Sequence, residues 1–170
     1  MKAAKRVAYC ACLIGLAMIF SYVESLIPLN FGIPGVKLGL ANLVVVTGLA
    51  FLPPLQILAV LLARICLTGI LFGNVLSLAY SLAGGLLSFL VMLLLRRVKG
   101  FSLVGISIAG GVAHNVGQLL TAMAILGNVH LGWYLPPLLA AGVVAGGLIG
   151  MLAGRVAPVV RRHAGGDGER

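Results

Sequence analysis

The chain has 170 residues, of which 61% are hydrophobic and 9% are charged, and its mean hydropathy is +1.17. This composition excludes a soluble globular domain, in which about half of the residues are apolar and about a quarter are charged. The net charge of +9 does not indicate a nucleic acid partner, because lysines and arginines lie in short segments between apolar runs. We therefore expect an all-α integral membrane bundle of about six transmembrane helices, with one membrane domain over residues 1–160 and a disordered tail over 161–170.

Six apolar runs follow one another, and most approach the roughly 20 residues that cross a hydrocarbon layer of about 30 Å. The first run follows Lys2, Lys5 and Arg6, as in a signal peptide, but it is too long for one and lacks a clear cleavage site. The second run is the shortest and ends at Pro53 and Pro54, so we expect it to be tilted, broken or re-entrant. The predicted spans are Val7–Ile27, Leu38–Leu52, Leu55–Phe72, Val75–Leu95, Phe101–Leu126 and Leu135–Gly154.

The basic residues predict the orientation of the chain. An even number of spans with the amino terminus inside places most lysines and arginines in the cytoplasm, and only Lys37 falls in a predicted outer loop. We therefore expect a multi-pass protein of the bacterial plasma membrane with both termini in the cytoplasm. The predicted cytoplasmic residues are Lys2, Lys5, Arg6, Arg96, Arg97, Lys99, Arg155, Arg161 and Arg162.

Small residues recur at helical spacing in three spans, and such faces let two helix backbones approach closely. They can pack helices of this chain against each other or dock a partner subunit, and the sequence leaves both open. In the last two spans these residues are Gly105, Ala109, Ala113, Gly117, Gly142, Gly146, Gly150 and Gly154. In the first span the candidate partner-docking residues are Ala4, Ala8, Ala11, Cys12 and Gly15. We expect all three cysteines, Cys10, Cys12 and Cys66, to pack as ordinary apolar residues.

The few polar residues inside the spans are the candidates for a binding site, because an ionisable side chain in a membrane is costly and indicates a function. With a rise of about 1.5 Å per residue, they lie between the middle of the membrane and its outer side. This distribution predicts an outward-facing cavity for a small solute. The predicted solute-binding residues are Glu24, Lys37, Asn42, Arg64, Tyr80, His114, Asn115 and Gln118.

Structural roles stay open for several of these residues. Glu24 and Arg64 can form a buried ion pair. His114 and Asn115 can form hydrogen bonds between helices, although His114 also shares one helix face with a glutamine at i+4. Tyr80 can anchor its helix at the membrane interface.

The segment between the first two spans, Pro28–Lys37, contains two prolines and two glycines and predicts a structured outer loop. Such a loop can cover the mouth of a cavity. Lys37 would then attract an anionic or polar ligand at the entrance, or it would extend along the membrane interface with its ammonium group in water.

The sequence lacks the residues that several kinds of catalysis need. No glycine-rich segment ends in Gly-Lys-Ser or Gly-Lys-Thr, so we expect no ATP hydrolysis by the chain itself. Two of the three acidic residues, Asp167 and Glu169, lie in the tail, which leaves too few carboxylates for diphosphate chemistry with magnesium. No catalytic triad and no metal-ligand spacing occurs, and we predict no catalytic residue, cofactor or metal. A proton-coupled carrier that uses Glu24 or His114 stays open.

Short motifs over nearly the whole chain form a set: Glu24–Pro28, Pro34–Asn42, Arg64, Tyr80–Gly85, Gly105–Ser107 and His114–Gln118. This set resembles the bacterial Gx transporter family, whose members are often labelled heptaprenyl diphosphate synthase component I. The family is also similar to the substrate-binding S components of energy-coupling-factor transporters.

The resemblance implies six helices, an outward-facing cavity and a small-residue face that docks on a transmembrane coupling protein joined to two ATPase subunits. It implies that the protein lies in a lipid membrane and takes part in the uptake of a solute of the vitamin or cofactor-precursor class. The family label implies an alternative, an accessory membrane component of isoprenoid or menaquinone synthesis. An autonomous carrier is a third hypothesis.

Overall fold

The computed structural model describes residues 3–26 and 39–165, and in these two ranges all regular structure is helical. The predicted all-α fold is confirmed. Five helices are long and apolar enough to cross a membrane within the described ranges. The helices are α1 (Ala3–Leu26), α2 (Asn42–Leu49), α3 (Pro54–Phe72), α4 (Val75–Leu95), α5 (Leu103–Leu126) and α6 (Leu135–Gly165), with a 3-10 helix, Val129–Tyr134, before α6.

Helix α2 is much shorter than the predicted span Leu38–Leu52. Its eight residues extend about 12 Å, which is less than half of the hydrocarbon layer. The helix is preceded by Gly39, whose φ of 86° ends any helical path from the upstream side. Pro53 is extended and Pro54 occupies the first turn of α3, because a residue before proline is disfavoured in helical conformation and proline fits a helix start.

Helix α2 lies at the centre of the bundle and contacts all five other α-helices. Seven of its eight residues are buried, and most of them are apolar, as is typical of an enclosed helix. Its core residues Val45, Val46 and Leu49 pack with Leu61 and Met92, among others, in the largest apolar cluster. The short helix α2, which the longer helices surround, therefore fills about half of the interior of the bundle.

Two aromatic contacts show that α1 and α3 run parallel. The ring of Tyr9, near the start of α1, lies 5.8 Å from Phe51, which precedes α3. The ring of Tyr22, near the end of α1, lies 5.1 Å from Phe72 at the end of α3. The intervening α2 returns between them, so successive helices alternate in direction.

The alternation gathers the positive charges at one end of the bundle. This basic end is where α1, α3 and α5 begin and where α2, α4 and α6 end; the opposite end is called the far end below. Every described lysine and arginine except Arg64 lies in or beside the basic end. These residues are Lys5, Arg6, Arg96, Arg97, Lys99, Arg155, Arg161 and Arg162.

Glycines bring α5 and α6 into backbone contact. A Cβ added to Gly111 would lie 2.6 Å from the carbonyl oxygen of Gly142, and one added to Gly146 would lie 2.7 Å from the Cα of Ile108. No side chain fits in such spaces, so most of the predicted small-residue faces in the last two spans pack helices of this chain. Gly154 differs, because an added Cβ there meets no atom within 4 Å.

The small-residue face of α1 points away from the bundle, since Ala4, Ala8, Ala11, Cys12 and Gly15 are all exposed. The opposite face of α1 is buried against α2 and α3. The expectation of ordinary packing for the cysteines holds only for the half-buried Cys10, because Cys12 and Cys66 lie on the bundle surface.

The carboxyl-terminal helix extends beyond the predicted membrane domain. Helix α6 continues through Pro158 to Gly165, so residues 161–165, which we assigned to a disordered tail, are helical. The arginines after Gly154 predict the end of the membrane span, but the helix itself can continue past the membrane surface because its charged side chains reach water. Residues 166–170 lie outside the described ranges.

Candidate functional site

The predicted solute-binding residues in the described ranges are all buried, with exposed fractions between 0% and 5%. Buried polar side chains normally have hydrogen-bond partners, so their contacts reveal what each one does. Lys37 and the rest of the loop Pro28–Lys37 lie outside the described residues. The buried residues are Glu24, Asn42, Arg64, Tyr80, His114, Asn115 and Gln118.

Glu24 lies near the far end of α1 and joins the helix to the turn before α2. Its Oε1 accepts a hydrogen bond from the backbone N–H of Gly39, with 2.5 Å between the two heavy atoms. Ala17, Ser21 and Glu24 are buried on one face of α1, because positions i, i+4 and i+7 are neighbours on a helix. This face directs the carboxylate into the bundle.

Arg64, in the middle of α3, faces the same region. Its Nη1 donates to the Oγ of Ser21 over 3.4 Å, and its positive charge is attracted by the negative charge of Glu24. Its Nε and Nη2 atoms are buried and have no hydrogen-bond partner within residues 3–26 and 39–165. The guanidinium therefore retains hydrogen-bonding capacity that the described side chains do not use.

Gly39 connects this pair of helices to α2 and α5. A Cβ added to Gly39 would lie 3.0 Å from Nδ2 of Asn42 and 3.1 Å from Cδ2 of His114. The side-chain amide of Asn42 is buried, and neither its oxygen nor its nitrogen has a hydrogen-bond partner in the described part of the chain. A positive φ and this crowding both require glycine at position 39.

His114 and Gln118 meet as the helical spacing predicts. Nε2 of Gln118 lies 3.0 Å from Nε2 of His114, and with the amide as donor the histidine proton is on Nδ1. Gly84 of α4 packs directly against this pair, since an added Cβ would lie 2.7 Å from the carbonyl oxygen of His114. Ser21, Glu24, Gly39, Asn42, Arg64, His114 and Gln118 together are called the polar layer below.

Asn115 lies on a different side of α5 from His114 and Gln118, and Tyr80 of α4 packs on that side. Nδ2 of Asn115 donates to the carbonyl oxygen of Leu138 over 2.7 Å, which ties α5 to α6. Tyr80 is 1% exposed and packs with Leu119 and Leu138, among others, in a separate apolar cluster. The hydrogen bond between helices that the sequence left open for Asn115 is present, and Tyr80 lies inside the bundle.

Ser21 and Gly39 complete the polar layer, and the sequence analysis did not select either as a site residue. Ser21 could have been found from its position on the helix face that carries Glu24. Gly39 gave no such signal, because its role depends on a backbone conformation and on neighbours that are distant in sequence. Within the described ranges, no group of three His, Cys, Asp or Glu side chains is placed to hold a metal ion.

The fold and this buried layer define an α-helical membrane protein in which the ionisable residues within the spans, Glu24, Arg64 and His114, converge inside the bundle instead of facing lipid. The chain matches the model of the family described as heptaprenyl diphosphate synthase component I over residues 13–156, and it belongs to that family. The matched range includes the whole polar layer but begins after Cys12. No curated protein and no solved structure matches the chain.

Proposed function

We propose that this protein is the solute-binding subunit of a membrane transporter, which captures a small polar solute in the polar layer for uptake with a partner ATPase module. The observation that carries the proposal is the unused hydrogen-bonding capacity of Arg64 and Asn42 inside one layer. A buried polar group without a partner costs about 1–3 kcal/mol, and more when it is charged. A bound solute that pairs with these groups removes this cost.

The chemistry of the layer indicates the class of solute. A guanidinium whose Nε and Nη2 have no partner within the described ranges favours a planar anionic or carbonyl acceptor, which it can hold in a bidentate manner. The amide of Asn42 offers a donor and an acceptor, and Gln118 and His114 add hydrogen-bonding groups next to it. A compact heterocyclic or carboxylated molecule of the vitamin or cofactor-precursor class fits these groups.

The position of the layer favours uptake. The basic end faces the cytoplasm under the positive-inside rule, and α2 with its apolar cluster fills the half of the bundle next to it. The polar layer begins at the opposite end of α2, so a solute would reach it from outside. Gly39 and His114 are in contact in the described conformation, and solute binding would separate them.

The exposed small-residue face of α1 supports a partner subunit. Ala4, Ala8, Ala11, Cys12 and Gly15 form a smooth strip that begins at the basic end, and an added Cβ at Gly15 meets no atom of the described residues within 4 Å. Two backbones can approach closely along such a strip. A transmembrane coupling protein docked there would connect this subunit to its ATPases.

Native mass spectrometry of the purified protein tests solute capture. We expect a small molecule to accompany the wild type and to be lost, by about tenfold or more in occupancy, from the apolar variants Arg64→Met and Asn42→Leu. The matched control is Ser88→Ala, which removes a buried hydroxyl of α4 that also lacks a partner within the described ranges but lies in the other half of the bundle. Equal occupancy in all four proteins would refute capture by the polar layer.

Uptake by vesicles tests the dependence on a partner. Vesicles that contain this protein alone should take up none of the molecule identified by mass spectrometry, and addition of the coupling protein with its ATPases should restore uptake. Transport by the protein alone would favour the autonomous carrier. In the complex, Gly15→Leu should reduce co-purification of the coupling protein, because the added side chain stands on the smooth strip of α1.

A second candidate function rests on the family description, which names a component of heptaprenyl diphosphate synthase. Under this alternative the protein would act as an accessory membrane component of isoprenoid or menaquinone synthesis. Deletion of the protein would then change the chain lengths of the cellular quinones. Under the transport proposal those chain lengths stay unchanged while solute uptake is lost.

A further inference from the structure

A cleft of about 660 Å³ opens at the basic end, between the start of α5, the last turns of α6 and the end of α2. Its volume falls in the range of about 300–1,000 Å³ that is usual for ligand sites. The cleft is far from the polar layer and shares no residue with it. It is lined by Ala50, Leu103, Gly154, Ala157, Pro158, Arg161 and Arg162.

The lining separates into apolar walls and a cationic rim. Ala50, Leu103 and Ala157 provide the walls, whereas the exposed side chains of Arg161 and Arg162 provide the charge. A smaller cavity of about 60 Å³ shares Ala50 and Leu103 and adds Arg96 from the end of α4. Arg96 therefore borders a neighbouring cavity that shares two apolar residues with the cleft.

The charges at this rim favour an anion. Glu24 is the single acidic residue within the described ranges, and it lies in the polar layer, beyond the opposite end of α2. Guanidinium groups bind phosphate groups strongly because they can donate two parallel hydrogen bonds. Basic pockets between transmembrane helices at the cytoplasmic surface are suited to anionic lipid head groups.

The backbone of α6 adds an acceptor and open space at the same place. Pro158 has no N–H group, so the carbonyl oxygen of Gly154 cannot receive the usual hydrogen bond from four residues ahead. Gly154 has no side chain, and an added Cβ there would meet nothing within 4 Å. A hydroxyl group of a ligand in the cleft could donate a hydrogen bond to this carbonyl.

We infer that this cleft binds an anionic phospholipid of the bilayer, with its phosphate at Arg161 and Arg162 and its apolar chains against Ala50 and Leu103. The apolar walls and the position at the helix ends match the boundary between lipid head groups and chains. The inference is independent of the proposed transport function, because no residue of the polar layer takes part.

Native mass spectrometry in detergent tests this site with phosphatidylglycerol, phosphatidylcholine and inorganic phosphate as probes. We expect phosphatidylglycerol to bind saturably and about tenfold more tightly than phosphatidylcholine, since only the first carries a net charge for the arginines. Inorganic phosphate alone should bind weakly, because it gains nothing from the apolar walls. Equal binding of the two lipids, or phosphate binding as tight as phosphatidylglycerol, would overturn the inference.

Variants separate the cleft from general surface charge. Gly154→Leu fills the cleft without meeting other atoms at Cβ, and Arg161→Gln with Arg162→Gln removes the rim; each should weaken phosphatidylglycerol binding by about tenfold. The matched control Lys99→Gln with Arg155→Gln removes the same charge at the basic end outside the cleft lining. Gly15→Leu controls for an added side chain on a helix surface.

The two controls should change phosphatidylglycerol binding by less than about twofold. If Lys99→Gln with Arg155→Gln weakened phosphatidylglycerol binding as much as Arg161→Gln with Arg162→Gln does, the lipid would be binding to diffuse surface charge. That result would overturn the inference. Wild-type binding by a monodisperse Gly154→Leu protein would overturn it as well. Helical content measured by circular dichroism confirms that each variant is folded before binding is compared.

Discussion

The backbone N–H of Gly39 donates a hydrogen bond to the carboxylate of Glu24, with 2.5 Å between nitrogen and Oε1. This bond fixes the end of α1 to the turn that begins α2, while the Cα of the same glycine lies against Asn42 and His114. One small residue thus holds the acidic and the histidine sides of the polar layer together.

The first prediction concerns Gly39 itself. Gly39→Ala should destabilise the protein by more than the roughly 1–2 kcal/mol that a positive φ costs a residue with a Cβ, because Asn42 and His114 must also move. Gly127 provides the control, since its φ is 61° and an added Cβ there meets nothing within 4 Å. Unfolding in mixed detergent micelles should show a larger loss for Gly39→Ala than for Gly127→Ala, and equal losses would contradict the crowding described here.

The second prediction concerns Glu24 and Arg64. Glu24→Gln keeps an acceptor for Gly39 but removes the negative charge that attracts the guanidinium, so the buried charge of Arg64 is less compensated and the protein should be less stable. Adding Arg64→Met to Glu24→Gln should restore part of the stability. A double-mutant cycle should give a coupling energy of about 1–3 kcal/mol, whereas a value near zero would mean that the two charges do not interact.

The third prediction concerns the contact of α5 with α6. Gly146→Ala places a Cβ 2.7 Å from both the Cα of Ile108 and the carbonyl oxygen of Ser107, so it should cost about 1–3 kcal/mol through overpacking. The adjacent Gly147→Ala meets only Cγ1 of Ile108, at 4.0 Å. It should be neutral or slightly stabilising, because alanine is the better helix former. Equal unfolding midpoints for the two variants would be inconsistent with this interface.

The fourth prediction concerns orientation. In a background with Cys10, Cys12 and Cys66 changed to alanine, a membrane-impermeant maleimide applied to intact cells should label Val129→Cys and should not label Val98→Cys. Val129 is exposed at the far end and Val98 is exposed at the basic end. Permeabilised cells should label both, and the reverse pattern in intact cells would place the polar layer toward the cytoplasm.

Much of the fold was predictable because membrane thickness limits the length of apolar runs. The bounds of α3 and α4 agree with prediction to within one residue. The short second run and the prolines after it predicted a tilted, broken or re-entrant segment, but hydropathy did not predict a helix of eight residues enclosed by all the others. The close approach of Gly111 to Gly142 follows from small residues at helical spacing, but the sequence alone did not identify the partner helix.

The polar layer was predictable in part. The contact of His114 with Gln118 follows from the i, i+4 spacing on a helix. The separation of Asn115 and Tyr80 from that pair does not, because it depends on how α5 is rotated against α4 and α6. The sequence shows which residues are costly to bury, and only the packing shows which of them meet.

Helix α2 connects two places that lie far apart in the bundle. Asn42, at its first turn, belongs to the polar layer, and Ala50, at its end, lines the cleft at the basic end. A helix of eight residues contains only about four internal hydrogen bonds, so its neighbours determine where it sits. Because its backbone is one continuous hydrogen-bonded helix, a displacement of Asn42 along the helix axis would also displace Ala50.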